Sequence, residues 1–193
     1  IVRRTELGLW LAGLSLLSYC AFVWVEARLY QRERARQFDQ ALGQSGARHE
    51  LGSSGRAPAA VDQEPLTGRL EIPRIGLSVM VMDGEDTRTL QLGVGHRPGS
   101  ARPGQPGNVV IFGHRDTFFR PLRNIRRNDR IVLTGWDGAH QYLVEKTEVI
   151  DPENTTVLRA TSQPTLTLIT CYPFQYVGPA PKRFIVRAHL ADG

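Results

Sequence analysis

Cys171 ends the run Thr165-Leu-Thr-Leu-Ile-Thr, and Tyr172-Pro173 follows at once. Proline removes a ladder donor, so the thiol is expected at a strand mouth and not in mid-core. Two readings of such a thiol stand level on the residues alone: a reactive nucleophile, or a small hydrophobe packed at a strand end. Nucleophilic catalysis by sulfur needs a base or cation close by, because the thiolate is the reactive form. Of the five histidines, His49 falls in a Gly/Ser-rich stretch, His189 lies near the C-terminus, and His96 and His140 fall in or beside turns. His114 has another address. It follows the apolar run Val109-Val-Ile-Phe-Gly113 and opens the polar segment Arg115-Asp116-Thr117, which is a strand-end position like that of Cys171. A lone histidine is most often structural or merely exposed, so this placement favours His114 without settling its role. Topology offers a third group. If the strands ending at Cys171 and beginning near Arg183 are antiparallel neighbours, Arg183 faces the Cys171 mouth. Arg187 shares that face but lies about 13 Å further along, where a solvated outer-face residue is expected.

These groups need a scaffold of short strands. From Leu66 onward, β-favouring runs broken by turn residues cover 68–72, 78–82, 108–112, 130–134, 141–150, 165–171 and 183–190. Seven or eight closely spaced strands in one domain (66–193) imply a mainly β fold, a closed or nearly closed barrel. One short helix fits 86–92, with Asp86 as cap and Leu90 and Leu92 inward, and Trp136-Asp137-Gly138 reads as a hairpin turn. Gly 19 and Pro 12 punctuate the chain too often for a helical bundle. The formal charge of +5 is almost wholly arginine, the only lysines being Lys146 and Lys182, and no polybasic tail supports nucleic-acid binding. Two cysteines exclude a disulfide-dense scaffold and a multi-cysteine zinc cluster.

Upstream, residues 7–25 carry no charge and as a helix reach about 28 Å, enough for a transmembrane helix across a bilayer. Trp10, Tyr19, Trp24 and Tyr30 sit near its ends as interfacial anchors do. The run is long for a signal peptide and no A-x-A site closes it. Bulky Tyr19 before Cys20 argues against a lipoprotein box, so Cys20 reads as a membrane residue. Residues 1–6 form a cytoplasmic stub, 26–42 a charged helical stalk whose expected state is solvated, and 43–65 a flexible linker. Orientation is contested within the sequence: Arg3 and Arg4 precede the span, whereas Arg28, Arg32, Arg34 and Arg36 follow it. Taken alone, this arginine bias puts the C-terminal part in the cytoplasm.

At the candidate site residues the chain resembles the sortases. Thr167 to Cys171, T-L-I-T-C, matches their T-L-x-T-C signature, with F-G-H ending at His114 upstream and Arg183 downstream in the family's order. The strings P-G-N-V-V-I-F-G-H-R-D-T-F-F-R-P-L and T-C-Y-P-F-Q-Y-V-G-P-A-P-K-R-F-I-V-R-A look most like class D. The resemblance covers about 66–190. It implies a sortase-like closed β-barrel of seven to eight strands with one or two short helices, a cysteine transpeptidase that acts on secreted proteins with an LPxTG-like sorting signal. Cys171 is then the nucleophile that forms a thioester, His114 the general acid and later base, and Arg183 the oxyanion and substrate-backbone partner. Thr170 is implied as a hydrogen-bonding group for substrate. The partners implied are the signal-bearing protein and an amine acceptor from the cell wall or another protein. The catalytic domain is then extracytoplasmic on a single-pass anchor, against the arginine count.

Other features have milder readings. Asp116 orients His114 or caps a local turn. Arg120, Arg123, Arg126, Arg127 and Arg130 are a solvated loop or a surface for anionic wall polymer. His96 reads as structural. Some sortases bind calcium, and Asp83, Glu85 and Asp86 form an acidic patch, but the spacing assigns no metal, and no cofactor is expected. Two alternatives differ in kind: another cell-wall cysteine transpeptidase, which would keep its histidine and cysteine close in sequence, and a membrane-tethered binding barrel with an inert thiol.

Overall fold

Alternation along the β-favouring runs decides which side chains each strand buries, and the computed structural model, which describes residues 2–50 and 66–191, shows the result. The strands are β1 Leu66–Ile72, β2 Leu77–Asp83, β3 Val94–His96, β4 Asn108–Phe112, β5 Arg130–Gly135, β6 Gly138–Ile150, β7 Thr165–Tyr172 and β8 Lys182–Leu190. They close into one barrel in the order β1-β2-β3-β4-β7-β8-β6-β5. Pairing is antiparallel except β2 with β3 and β4 with β7. Leu70, Val81, Val109, Ile111, Leu133, Val144, Leu168 and Val186 fill the interior. Tyr142 joins them; its hydroxyl accepts the Gly104 N–H at 2.9 Å, and burial pushes the phenol's pKa upward because the interior disfavours its charged form.

Seven strands fall on the expected runs. β3 is the eighth, and the expected helix is α2, Thr87–Leu92, between β2 and β3. Asp86 caps it: Oδ1 accepts from the N–H of Arg88 at 2.9 Å and of Thr89 at 3.1 Å. The Thr89 hydroxyl, which donates to Oδ2 at 2.6 Å, and then these backbone bonds hold the exposed Asp86 carboxyl below the usual range. Leu92 is buried and Leu90 half-buried. Trp136 and Asp137 link the paired Gly135 and Gly138 in a two-residue turn, as expected.

The N-terminal region departs from expectation. One helix, α1, runs from Val2 to Glu50, so residues 43–50, read from sequence as linker, are helical; 51–65 lie outside the described residues. Its apolar part lies in the candidate span Thr5–Gly43. The stalk is not solvated on every side. Gln31 Nε2 donates to the Leu92 carbonyl at 2.5 Å while its Oε1 accepts the Met80 N–H at 2.8 Å. Phe38 is 1% exposed and its ring centroid lies 4.8 Å from that of Trp136. Arg69 donates to Asp39 at 2.7 Å. Met80 and Met82 alternate with the inward Val79 and Val81 of β2, yet all four are buried, because α1 docks across the outside of the strand. Burying a Phe side chain is worth about 2 kcal/mol, which adds to the Gln31 and Asp39 contacts that hold this charged helix to the barrel.

Candidate active site

The β4–β7–β8 register brings the three candidate residues together. Phe112 pairs with Ile169 across the parallel β4–β7 junction, and Gly113 N–H continues that ladder to the Ile169 carbonyl at 3.1 Å. Two residues on, along both chains, stand His114 and Cys171. On the other side, antiparallel β8 pairs Arg183 directly with Cys171, and β6 pairs Ile150 with Arg183. Cys171, Arg183 and Ile150 therefore form a row across three strands, and His114 follows the end of the neighbouring β4. Directly opposed Cα atoms in such a ladder are about 5 Å apart.

Alternation also fixes the face. Leu166, Leu168, Val186 and Ala188 point inward, so Ile169, Cys171, Arg183 and Ile185 point outward. Val110, Ile169 and Ile185 form an outer apolar patch sealed by Val157 of the 3-10 turn Thr156–Leu158, with half-buried Phe112 and Ile150 at its edge. Cys171 is half-buried and His114 exposed, so the thiol sits where solvent and apolar surface meet. Arg187 pairs with Thr167, four residues back along β7, about 13 Å from the Cys171 level.

Local sequence shapes each position. Gly113 is needed for packing: a Cβ there would sit 2.6 Å from the buried Phe119 ring, and Phe119 N–H returns to the His114 carbonyl at 3.1 Å to close the loop. Thr170 is buried, and its Oγ1 donates to the Gly113 carbonyl at 2.7 Å. The hydroxyl that the sequence offers to a substrate thus gives its proton to the junction preceding His114 and keeps its lone pairs. Arg183 Nη1 donates to the carbonyls of Ala180 at 3.2 Å and Lys182 at 3.0 Å. Those bonds orient the guanidinium and leave Nη2 and Nε available for another acceptor.

Arg115 is the residue that sequence reasoning missed. Only 6% exposed, it donates through Nη1 to the Pro173 carbonyl at 3.1 Å and through Nη2 to those of Tyr176 at 2.7 Å and Gly178 at 3.0 Å. It grips the β7–β8 loop, whose two ends carry Cys171 and Arg183. The sole signal in the sequence is a charge directly after His114, which local patterning cannot tell from a turn residue. Asp116 lies 3.4 Å from Arg115 Nε, so its carboxylate faces the clamp.

The remaining candidates lie elsewhere. His96 is buried, with Nδ1 3.2 Å from Asp83 Oδ1 and Nε2 3.0 Å from the Ala101 carbonyl, a structural placement. His140 lies 3.3 Å from Asp137, and His189 pairs with Thr165 at the far end of β8. His49 lies outside the residues whose side chains are described. In the acidic patch, Asp83 faces His96, Glu85 lies 3.7 Å from Arg97, and Asp86 caps α2. Among the described residues no group of His, Cys, Asp and Glu side chains is arranged to hold a metal ion.

Comparison with known proteins gives a consistent result. The Sortase domain family model matches residues 70–191. Sortase D of Bacillus subtilis is 32% identical over 184 residues, covering 91% of each chain. Among solved structures, a lid mutant of Sortase A from Corynebacterium diphtheriae is 34% identical with a TM-score of 0.64, covering 70% of this chain and 74% of that one. A Sortase D5 transpeptidase of Clostridium perfringens shares the fold, with a TM-score of 0.67 over 86% of this chain and 98% of its own at 23% identity.

Proposed function

The chain belongs to the sortase family of cysteine transpeptidases, and from that premise we propose that Cys171, His114 and Arg183 are its catalytic residues and that an LPxTG-like sorting signal is its substrate. The reading is supported by one observation: the register pairs Cys171 directly with Arg183, and the β4–β7 ladder ends at Phe112 and Ile169, two residues before His114 and Cys171. The Cys171 thiolate adds to the carbonyl of the signal's threonine. Arg183 Nη2 and Nε, held in direction by the Ala180 and Lys182 carbonyls, donate to the oxyanion that forms. As the C–N bond to the next residue breaks, His114 gives its proton to the leaving amine, and a thioester remains on Sγ. An incoming amine then attacks the thioester, His114 takes its proton, and the thiolate leaves. Thr170 acts through Gly113 as a positioning residue for His114. Phe112 and Ile150 offer an apolar shelf beside the thiol for the signal's leucine and proline.

The amine acceptor belongs to the cell wall or to another protein, and residues 7–25 are the single span that carries the barrel on the outer side of the membrane. The test is incubation with an LPxTG-like peptide and an amine. The expected result is a covalent adduct at Cys171 by mass spectrometry, transfer to the amine, and loss of both in Cys171→Ala. Turnover by Cys171→Ala would remove the covalent mechanism.

A further inference from the structure

The barrel carries a second feature whose chemistry is unassigned. The 3-10 turn Pro73–Ile75 after β1 and the 3-10 turn Arg120–Asn124 after the His114 loop enclose a concavity of about 490 Å³ lined by Arg74, Ile75, Arg123, Asn124, Ile125 and Arg126. Segments 73–75 and 120–130 together hold six arginines, all exposed, against one carboxylate, Asp129. Their surplus equals the formal +5 of the whole chain, so everywhere else acid and base balance. Asp129 does not neutralise the cluster. Its carboxylate is taken by the Arg74 guanidinium through Nε and Nη2, and by the backbone N–H of Arg126 at 2.7 Å. Arg120, Arg123, Arg127 and Arg130 meet no carboxylate among the described residues. Arg74 also donates to the Asn124 carbonyl at 2.5 Å, which ties one wall to the other. Of the six, Arg74, Arg123 and Arg126 line this open concavity, with the others beside it, and like charges held so close repel one another unless an anion sits among them.

We propose that this concavity binds a polyanionic chain with closely spaced phosphate groups. Guanidinium forks match phosphate oxygens bidentately, and the volume exceeds what a single small anion needs. A bilayer surface fits less well. The helix α1 leaves its apolar stretch at Glu26, 3.4 Å from Arg88 of α2 beyond the Asp83 end of β2, whereas the concavity lies at the Leu77 end, roughly 20 Å away along the strand. Its second wall follows directly from the His114 loop, so a bound polymer holds the enzyme with its thiol beside the polymer's surroundings.

The test titrates the full chain, in phosphatidylcholine nanodiscs, with short-chain polyphosphate at several salt concentrations. Wild type is expected to bind with an affinity that falls as salt rises. Arg123→Gln with Arg126→Gln should bind about a hundredfold more weakly, about tenfold per guanidinium, and flatten the log–log salt slope by about two. Arg102→Gln with Arg159→Gln removes the same charge from exposed sites elsewhere and should bind as wild type does. If the first pair lowers the melting temperature, Arg126→Lys, which keeps charge but loses the fork, is read instead and should bind several-fold more weakly. Equal weakening by both pairs, no binding by wild type, or tighter binding to phosphatidylglycerol vesicles than to polyphosphate would each overturn the proposal. Peptide cleavage should be unchanged in both double variants, which separates this site from the thiol chemistry.

Discussion

Replacing Arg115 with alanine tests whether the geometry around Cys171 depends on a side chain outside the proposed catalytic trio. Its guanidinium makes three hydrogen bonds to the β7–β8 loop, to Pro173, Tyr176 and Gly178. Hydrogen bonds to a charged group are worth about 1.5–3 kcal/mol each. The loop is largely exposed, so water can replace part of what the three carbonyls lose, and the expected destabilisation is about 3–4 kcal/mol instead of the full sum. Arg115→Lys keeps the charge but, as a point donor, cannot serve three carbonyls spread over six residues; about half that loss is expected. Catalysis should fall further than stability suggests, because misplacing a reacting group by about 1 Å costs on the order of a hundredfold. Three readouts on the detergent-solubilised chain decide the matter: thermal melting, hydrogen exchange of the 174–178 amides, and the ratio of peptide cleavage to Cys171 alkylation by iodoacetamide. A small alkylating agent needs only the thiol, whereas cleavage needs thiol, Arg183 and loop together. Faster exchange in the loop and a cleavage-to-alkylation ratio about 10- to 100-fold below wild type are expected in Arg115→Ala, with Arg115→Lys between. Wild-type exchange and an unchanged ratio in the alanine variant would refute the clamp.

Arg183→Lys should lose about 100- to 1000-fold in cleavage rate, because an oriented fork at the oxyanion is replaced by a point charge, while Arg187→Lys, about 13 Å along the strand, should stay near wild type; equal effects would overturn the register argument. Asp129 is held below the usual aspartate value of 3.8 chiefly by its hydrogen bonds with Arg74. A lowered folded value means that the unfolded chain binds more protons as pH falls, so this pair's contribution is complete at neutral pH and lost below about pH 4. Asp129→Asn should therefore be less stable than wild type at pH 7, by an amount that screening at the 41% exposed Arg74 keeps modest, and the gap measured by denaturant melts should close in acid. A gap independent of pH would mean that the pair matters through shape and not charge.

How far the sequence reached follows from which interactions are local. Turn-delimited apolar runs set seven strands, and the Cys171–Arg183 pairing was legible because antiparallel strands joined by one loop leave little choice of neighbour. β3 was not legible: three residues, one of them glycine, have no periodicity, and pairing with β2 on one side and β4 on the other is what makes them a strand. The parallel β4–β7 contact that brings His114 to the thiol is also non-local, and only the shared strand-end address hinted at it. The stalk misled because Glu and Arg dominate its composition; Phe38, one aromatic among charges, and Gln31 were the marks of a docked face. Arg115 was hidden because its partners lie some sixty residues on, in a loop whose carbonyls have no sequence signature.

The docked helix also constrains how the enzyme meets its substrates. If residues 7–25 cross a bilayer, α1 continues from Val25 without a break, and Gln31 engages β2 only six residues later, about 9 Å along the helix axis. From Met80 of β2 the hydrogen-bonded ladder passes through the short β3 to β4, which His114 follows, and then to β7, which holds Cys171. A helix bound at Gln31, Phe38 and Asp39 and a closed barrel leave no flexible joint between span and thiol. Residues 51–65 join α1 to β1 but do not determine reach, because the helix has already met the barrel before they begin. The height of Cys171 above the bilayer is then fixed by the helix and the ladder, and a substrate must be presented at that height instead of being sought by a tethered domain.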